Sequence, residues 1–208
     1  MKGLKNILKN AISLSLVLIL VCGIAYPMAL TVTGQVLLKD KAEGSFIEVD
    51  GEKVGSKNIG QQFTEPYFFK GRVSSVNYNT YTEKDKEDGT YEGPSSGSFN
   101  YAPSNPELKK RVEASIDEFL KNNPEVNRED IPADLMTASG SGLDPNISVK
   151  SAEIQVPAIS KASGISEEKL NKMIKENTDS KFLGIFGEER VNVLELNIDV
   201  YKSMNKNK

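Results

Sequence analysis

Between Thr137 and Ser148 the chain reads TASGSGLDPNIS, a run dense in groups that can do chemistry. Thr137, Ser139 and Ser141 carry hydroxyls, Asp144 a carboxylate, and Gly140 and Gly142 let a ligand approach bare backbone. A phosphate-binding loop of this kind ends in Gly-Lys-Ser/Thr, because the lysine reaches the terminal phosphates. Here Gly142 is followed by Leu143, Asp144 and Pro145, and an aspartate repels phosphate. A nucleophile elbow needs G-x-S-x-G, but the residue two before Ser141 is Ser139. The chain has no histidine, which excludes Ser-His and Cys-His catalysis and any histidine-ligated metal. A Ser-Lys pair, with Lys150 or another lysine as base, stays open. The structural alternative is a turn in which Gly140 and Gly142 supply unusual backbone angles and Asp144 or Ser148 caps the next helix.

Composition narrows the classes further. A formal net charge of -3 over 208 residues argues against nucleic-acid binding, which calls for a basic face. A single cysteine, Cys22, allows neither an internal disulfide nor a thiolate metal cage. The acidic stretch TEKDKEDGTYEG fails the calcium-loop pattern, since a loop starting at Asp85 meets Gly89 where Asp or Asn is required. That stretch, Tyr81 to Gly93, reads as a solvated, mobile loop.

The elements that must position these groups begin with a long apolar run. No charged residue occurs between Lys9 and Lys39, and Ala11 to Val32 is enough helix to cross a hydrocarbon core of about 30 Å. A cleaved signal peptide would have a shorter core and a small-x-small site, which Pro27 and the apolar run to Leu38 do not match. A lipoprotein signal needs a small residue before Cys22, where Val21 stands. The expectation is an uncleaved anchor: residues 1–9 cytoplasmic, 10–34 transmembrane, 35–208 a soluble domain outside. The orientation follows from Lys2, Lys5 and Lys9 on one side against mixed charges on the other. Tyr26-Pro27 is expected to kink the helix, and Ser13, Ser15, Gly23 and Ala25 offer small positions for a partner helix.

The rest of the chain reads as one α+β domain. Gly44 to Lys57 is a hairpin turning at Asp50-Gly51. Phe63, Tyr67, Phe68 and Phe69 form an aromatic cluster expected to be mostly core. Asn105-Pro106-Glu107 starts a helix that presents Leu108, Val112, Ile116, Phe119 and Leu120 on one face and ends at Asn122-Asn123-Pro124. A second helix runs from Ser148 toward Ala162, kinked or split by Pro157 and stopped by Gly164. Ser166 caps a third, with Leu170, Met173 and Ile174 inward. In RVNVLELNIDVYK, alternation of Leu194, Ile198 and Val200 with Glu195, Asn197 and Asp199 predicts a strand.

Several of these segments, in order, resemble the C subunit of potassium-transporting ATPases, the KdpC family. They are the span ending in Tyr26-Pro27, VGSKNIGQQFT, YFFKGR with two serines, APSNP, DLMTASGSGLDPNIS, Gln155 to Pro157, and FGEERVNVLELN with Asn192 and Glu195. TASGSGLDP is the most specific of them. The chain departs from the family at Val73, where Gly-Arg-Pro-Ser is common, at Asn146, where histidine is common, and at Phe99 and Ala102. The acidic loop looks like an insertion.

The resemblance implies a non-catalytic subunit of a high-affinity, ATP-driven potassium pump in a bacterial plasma membrane. Its implied partners are a channel-like potassium-translocating subunit, the P-type ATPase subunit and a small stabilising peptide. ATP and potassium are used by the complex, with no cofactor bound directly by this chain. The family is described as a catalytic chaperone that raises ATP affinity of the ATPase subunit. The expected topology opposes direct ATP contact, because it puts Thr137–Ser148 outside. Thr137, Ser139 through Pro145, Gln155, Asn192 and Glu195 are then residues for meeting a partner. An acidic field from Ser139, Ser141, Asp144, Asn146 and Glu195 would draw cations toward the pump's outer mouth. Two other readings stand beside this one: an anchored Ser-Lys hydrolase, and a free-standing binding or sensor domain.

Overall fold

A computed structural model describes residues 2–91 and 93–205. It divides into two compact units, one up to Phe46 and one from Ile47 onward. The architecture is the expected one, a helix able to span a membrane followed by an α+β domain.

The first unit is a nearly continuous helix: α1 (Lys2–Leu18), π-helical turns at Ile19–Ala25, and α2 (Tyr26–Leu37). Residues Gly3–Leu37 form the one candidate span among the described residues, with an 18-residue window of mean hydropathy 2.2 that has no buried residues. At about 1.5 Å per residue this rod is roughly 50 Å long, so a bilayer core covers only its more apolar part. The expected effect of Pro27 takes the form of the widened turns rather than a break. Proline has no N–H and its ring collides with the carbonyl four residues back. The preceding Tyr26 N–H donates instead to Val21 O, five residues back. Thr31 and Thr33 return their hydroxyls to the carbonyls of Pro27 (2.9 Å) and Ala29 (2.7 Å), leaving no donor for lipid to strand. The charged turn α3 (Lys39–Ala42) follows.

The hairpin β1 (Phe46–Val49) and β2 (Glu52–Ser56) turns at Asp50 and Gly51, with φ of 54° and 86°. Both angles are left-handed, as a two-residue hairpin turn requires. A long irregular segment then crosses the domain, and its Phe69 is fully buried. The acidic stretch is not wholly loop: Thr82 and Asp85 make a reciprocal capping box on a single turn, α4 (Glu83–Glu87). The Thr82 N–H and hydroxyl both donate to the Asp85 carboxylate and hold it below its ordinary range.

Helix α5 (Pro106–Asn122) is capped by Asn105, whose side chain accepts the Glu107 N–H at 2.9 Å. After α6 (Ala133–Met136) come β3 (Asn146–Ile147), α7 (Val149–Glu153) and α8 (Val156–Ser163). The helix expected from Ser148 is thus split, with Pro157 in the first turn of α8 and Gly164 closing it at φ 72°. Helix α9 (Glu167–Glu176), capped by Ser166, leads to β4 (Thr178–Asp179) and β5 (Arg190–Asn192). The small antiparallel sheet has the order β3-β5-β4, pairing Asn146 with Asn192 and Thr178 with Val191.

The tail corrects the expected strand. Only Arg190–Asn192 is extended, and Val193–Asn205 is a helix, α10. Val193, Leu196, Asn197, Val200 and Ser203 recur at three- and four-residue spacing, and all are buried. Leu194, Leu196, Ile198 and Val200 satisfy a period of two over a short window, and burial against α9 and the sheet selects the helical period. The core joins Phe69 to Leu135, Ile147, Ala152, Ile159, Leu170, Ile174, Val191 and Leu196. Of the aromatic cluster, Phe63 and Phe68 pack against this core, edge to face with each other, and Tyr67 is half-buried.

Candidate functional site

In TASGSGLDP the serine hydroxyls are turned inward on their own loop. Ser139 Oγ accepts the Gly142 N–H at 2.9 Å, and Ser141 Oγ accepts the Leu143 N–H at 3.1 Å. Asp144 Oδ1 takes the Asn146 N–H at 3.0 Å. A phosphate cradle needs such amides free and convergent, and here the loop's own side chains have taken them. Neither Ser139 nor Ser141 hydrogen-bonds a lysine among the described residues, as a Ser-Lys pair would. Of the two glycines, Gly142 has the left-handed backbone (φ 68°), whereas Gly140 does not and faces open space. The expectation of an unusual angle at Gly140 is therefore corrected. Ser148, not Asp144, caps the following helix, and partly buried hydrogen bonds that Asp134 accepts from Ser148 and Ser151 fix that cap.

The loop's outward groups grip two other segments. Gly142 O accepts the Ser74 hydroxyl at 2.6 Å, and Ser141 O accepts the Gly97 N–H at 2.8 Å. Leu143 O accepts the Gly60 N–H at 2.8 Å, so close that a Cβ on Gly60 would lie 2.6 Å from Asp144 O. Arg72 reaches Asp144 Oδ2 at 3.1 Å, and its other terminal nitrogen lies 3.5 Å from the carbonyl and hydroxyl of Thr137. Pro145 O accepts the Val193 N–H at 3.0 Å, tying the loop to the start of α10.

The remaining expected residues hold the same irregular segment from other elements. Asn192 Nδ2 donates to Lys57 O at 2.8 Å while its Oδ1 accepts the Glu195 N–H, and Glu195 pairs with Lys57 Nζ at 2.9 Å. Gln155 is fixed on Lys70: its Oε1 accepts the backbone N–H at 2.8 Å, and its Nε2 donates to the carbonyl at 3.2 Å. Asn197, which the strand reading had turned toward solvent, does the same to Phe69 at 2.8 and 2.9 Å. Two consecutive peptide units with no sheet partner are thus satisfied by two buried amides. The motif residues form a set of clamps, spread from α8 to α10, that fasten residues 57–75 to the helical core.

Tyr78, which no motif marks, was missed by sequence reasoning, and Lys70 was noted only as part of YFFKGR. Asn77, Tyr78 and Asn79 are all left-handed, with φ of 47°, 52° and 55°. Such residues cost about 1–2 kcal/mol each in isolation, so the surroundings must hold the turn. Ser74 Oγ accepts the Tyr78 N–H at 2.9 Å, and the Tyr78 hydroxyl donates to Arg72 O. Burial, with help from the nearby Asp144 carboxylate, pushes the Tyr78 phenol up to about 12, against a smaller opposing pull from Arg72. Tyr78, Lys70 and Arg72 line a groove of about 630 Å³ that also exposes Phe63 and Glu118. Burial lowers the Lys70 ammonium. Nζ donates to the carbonyls of Phe63 and Glu65, both at 2.7 Å, bonds that are stronger from the charged ammonium. Its role is structural.

The cation-drawing field is not supported by this geometry. Asp144 and Glu195 each carry a basic partner, which cancels most of their charge at a distance. No cluster of metal-ligating side chains occurs among the described residues. These features define a protein with one helix apolar enough to cross a membrane and an α+β domain fastened by polar clamps.

Comparison with known proteins agrees. The family described as KdpC: K+-transporting ATPase, c chain matches residues 8–202. Similar proteins include the potassium-transporting ATPase KdpC subunit of Clostridioides difficile, 62% identical over 94% of this chain and 96% of that one. The KdpC subunit of Clostridium kluyveri is 53% identical over 95% and 94%, and that of a Bacillus cereus strain 48% over 95% and 96%. The chain belongs to the KdpC family.

Proposed function

We propose that this chain is a non-catalytic accessory subunit of an ATP-driven potassium uptake pump, needed for the assembly and stability of the complex. The observation that carries the reading is the clamped loop of a KdpC-family chain: its serines and amides are spent on holding the fold. The helix crosses the plasma membrane with its N-terminus in the cytoplasm, as Lys2, Lys5 and Lys9 favour, and residues 35–208 lie outside. The domain docks over the outer mouth of the potassium-translocating subunit. It influences the P-type ATPase subunit through the stability of the complex, because ATP is on the other side. Potassium and ATP are therefore ligands of the complex and not of this domain.

Purification from native membranes under potassium limitation tests this. The chain should co-purify with a P-type ATPase and a channel-like subunit, and recovery of a lone chain would refute the reading. Topology is tested with Cys22 replaced by Ala and a cysteine placed at the exposed Glu87. An impermeant maleimide should label intact cells, and labelling only after permeabilisation overturns the orientation.

A further inference from the structure

Between β4 and β5 the chain reads KFLGIFGEER and carries its apolar side chains outward. Phe182, Leu183, Ile185 and Phe186 are 72%, 75%, 76% and 62% exposed, the largest apolar exposures from Ile47 onward. A soluble surface rarely leaves four such residues contiguous without a partner. The tip is nevertheless well built. Phe182 and Phe186 exchange backbone hydrogen bonds at 2.8 and 3.0 Å, and Leu183 and Gly184 turn with φ of 54° and 73°. The N–H groups of Phe182, Gly184, Ile185 and Phe186 are bonded within the tip, so the knob is preformed and enters an apolar cleft at little entropic cost.

The charges around the tip indicate what that occupant is. Arg190 pairs with Asp179 at 3.3 Å and Lys181 with Glu188 at 3.7 Å, while Glu189 has no ion-pair partner among the described residues. Surfaces that insert into lipid headgroups bring spare Lys or Arg. This collar has no spare cation and one unbalanced negative charge. A protein cleft, apolar at its floor and basic at its rim opposite Glu189, complements it better than an anionic bilayer.

We propose that the Phe182–Phe186 tip is a docking knob for an apolar cleft on the outer face of the potassium-translocating subunit. This rests on the accessory-subunit reading and names the surface through which it acts. In the full chain, a benzophenone amino acid in place of Leu183, irradiated in native membranes, should form an adduct with that subunit, identified by mass spectrometry. An adduct with lipid or with another subunit overturns the proposal, as does no adduct while the complex still co-purifies. Independently, Leu183→Ser with Ile185→Ser should lower co-purification about tenfold, the scale of losing an anchor residue, with an unchanged melting temperature of the full chain. Undiminished co-purification, or a lower melting temperature that assigns the tip to the fold, overturns it. If the unmodified chain co-purifies with no pump subunit, the accessory reading itself fails, and the knob with it.

Discussion

The side-chain amide of Asn197 holds both backbone polar groups of Phe69, accepting its N–H at 2.8 Å and donating to its carbonyl at 2.9 Å. Both residues are buried. This pair fastens the irregular segment to α10, and Gln155 repeats the device one residue later.

Replacing Asn197 with Ala strands a donor and an acceptor away from water. At about 1–3 kcal/mol for each buried group left unpaired, the loss is roughly 2–6 kcal/mol. Denaturant unfolding of the full chain in detergent measures it. A loss below about 0.5 kcal/mol, the range of an ordinary surface substitution, would mean the clamp is dispensable.

The two glycines of SGSG should respond oppositely to alanine. At Gly142 a Cβ meets Gly97 O and Ser75 Oγ, both at 2.9 Å, on a left-handed backbone, whereas at Gly140 nothing lies within 4 Å. Gly142→Ala is expected to cost about 2–3 kcal/mol, and Gly140→Ala to stay within about 0.5 kcal/mol. Equal melting temperatures for the two variants would contradict this account of the turn.

Tyr78 makes stability fall at alkaline pH. Its folded-state phenol titrates at about 12 against an ordinary 10.0. Below pH 10 both states hold the proton and stability is fully present. Between about pH 10 and 12 the unfolded chain releases the proton first, and roughly 2–3 kcal/mol is lost. Lys70, whose ammonium is lowered, acts in the opposite sense at and below its ordinary 10.5. Subtracting the Tyr78→Phe stability profile from that of the unmodified chain therefore isolates the phenol. A difference that is flat from pH 9 to 12 would show that Tyr78 is not buried as described.

Asp144→Asn keeps an acceptor for the Asn146 N–H and removes the charge opposite Arg72. The pair is partly exposed, so about 1 kcal/mol of stability is at stake. Because the charge was already balanced, apparent potassium affinity of the pump should not change. A several-fold loss of affinity with an intact complex would reinstate cation steering by this carboxylate.

Much of this architecture is written in local patterns. The uncharged run from Lys9 to Lys39, the Asp50-Gly51 turn, the caps at Asn105, Ser148 and Ser166, and the stop at Gly164 each act through neighbouring residues. That is why they can be read without a fold. The tail from Val193 could not be assigned this way, since its apolar residues satisfy both a period of two and a helical period over a few turns. Contact with α9 and β5 decided between them. The same holds for the functional residues. TASGSGLDP was legible as a specific motif, but its chemistry depended on where Ser74, Gly97, Gly60 and Arg72 arrive from distant parts of the chain. Sequence supplied the polar groups. Only the tertiary structure showed that they are satisfied by one another, because a hydrogen bond between residues more than 40 apart leaves no local periodicity to detect.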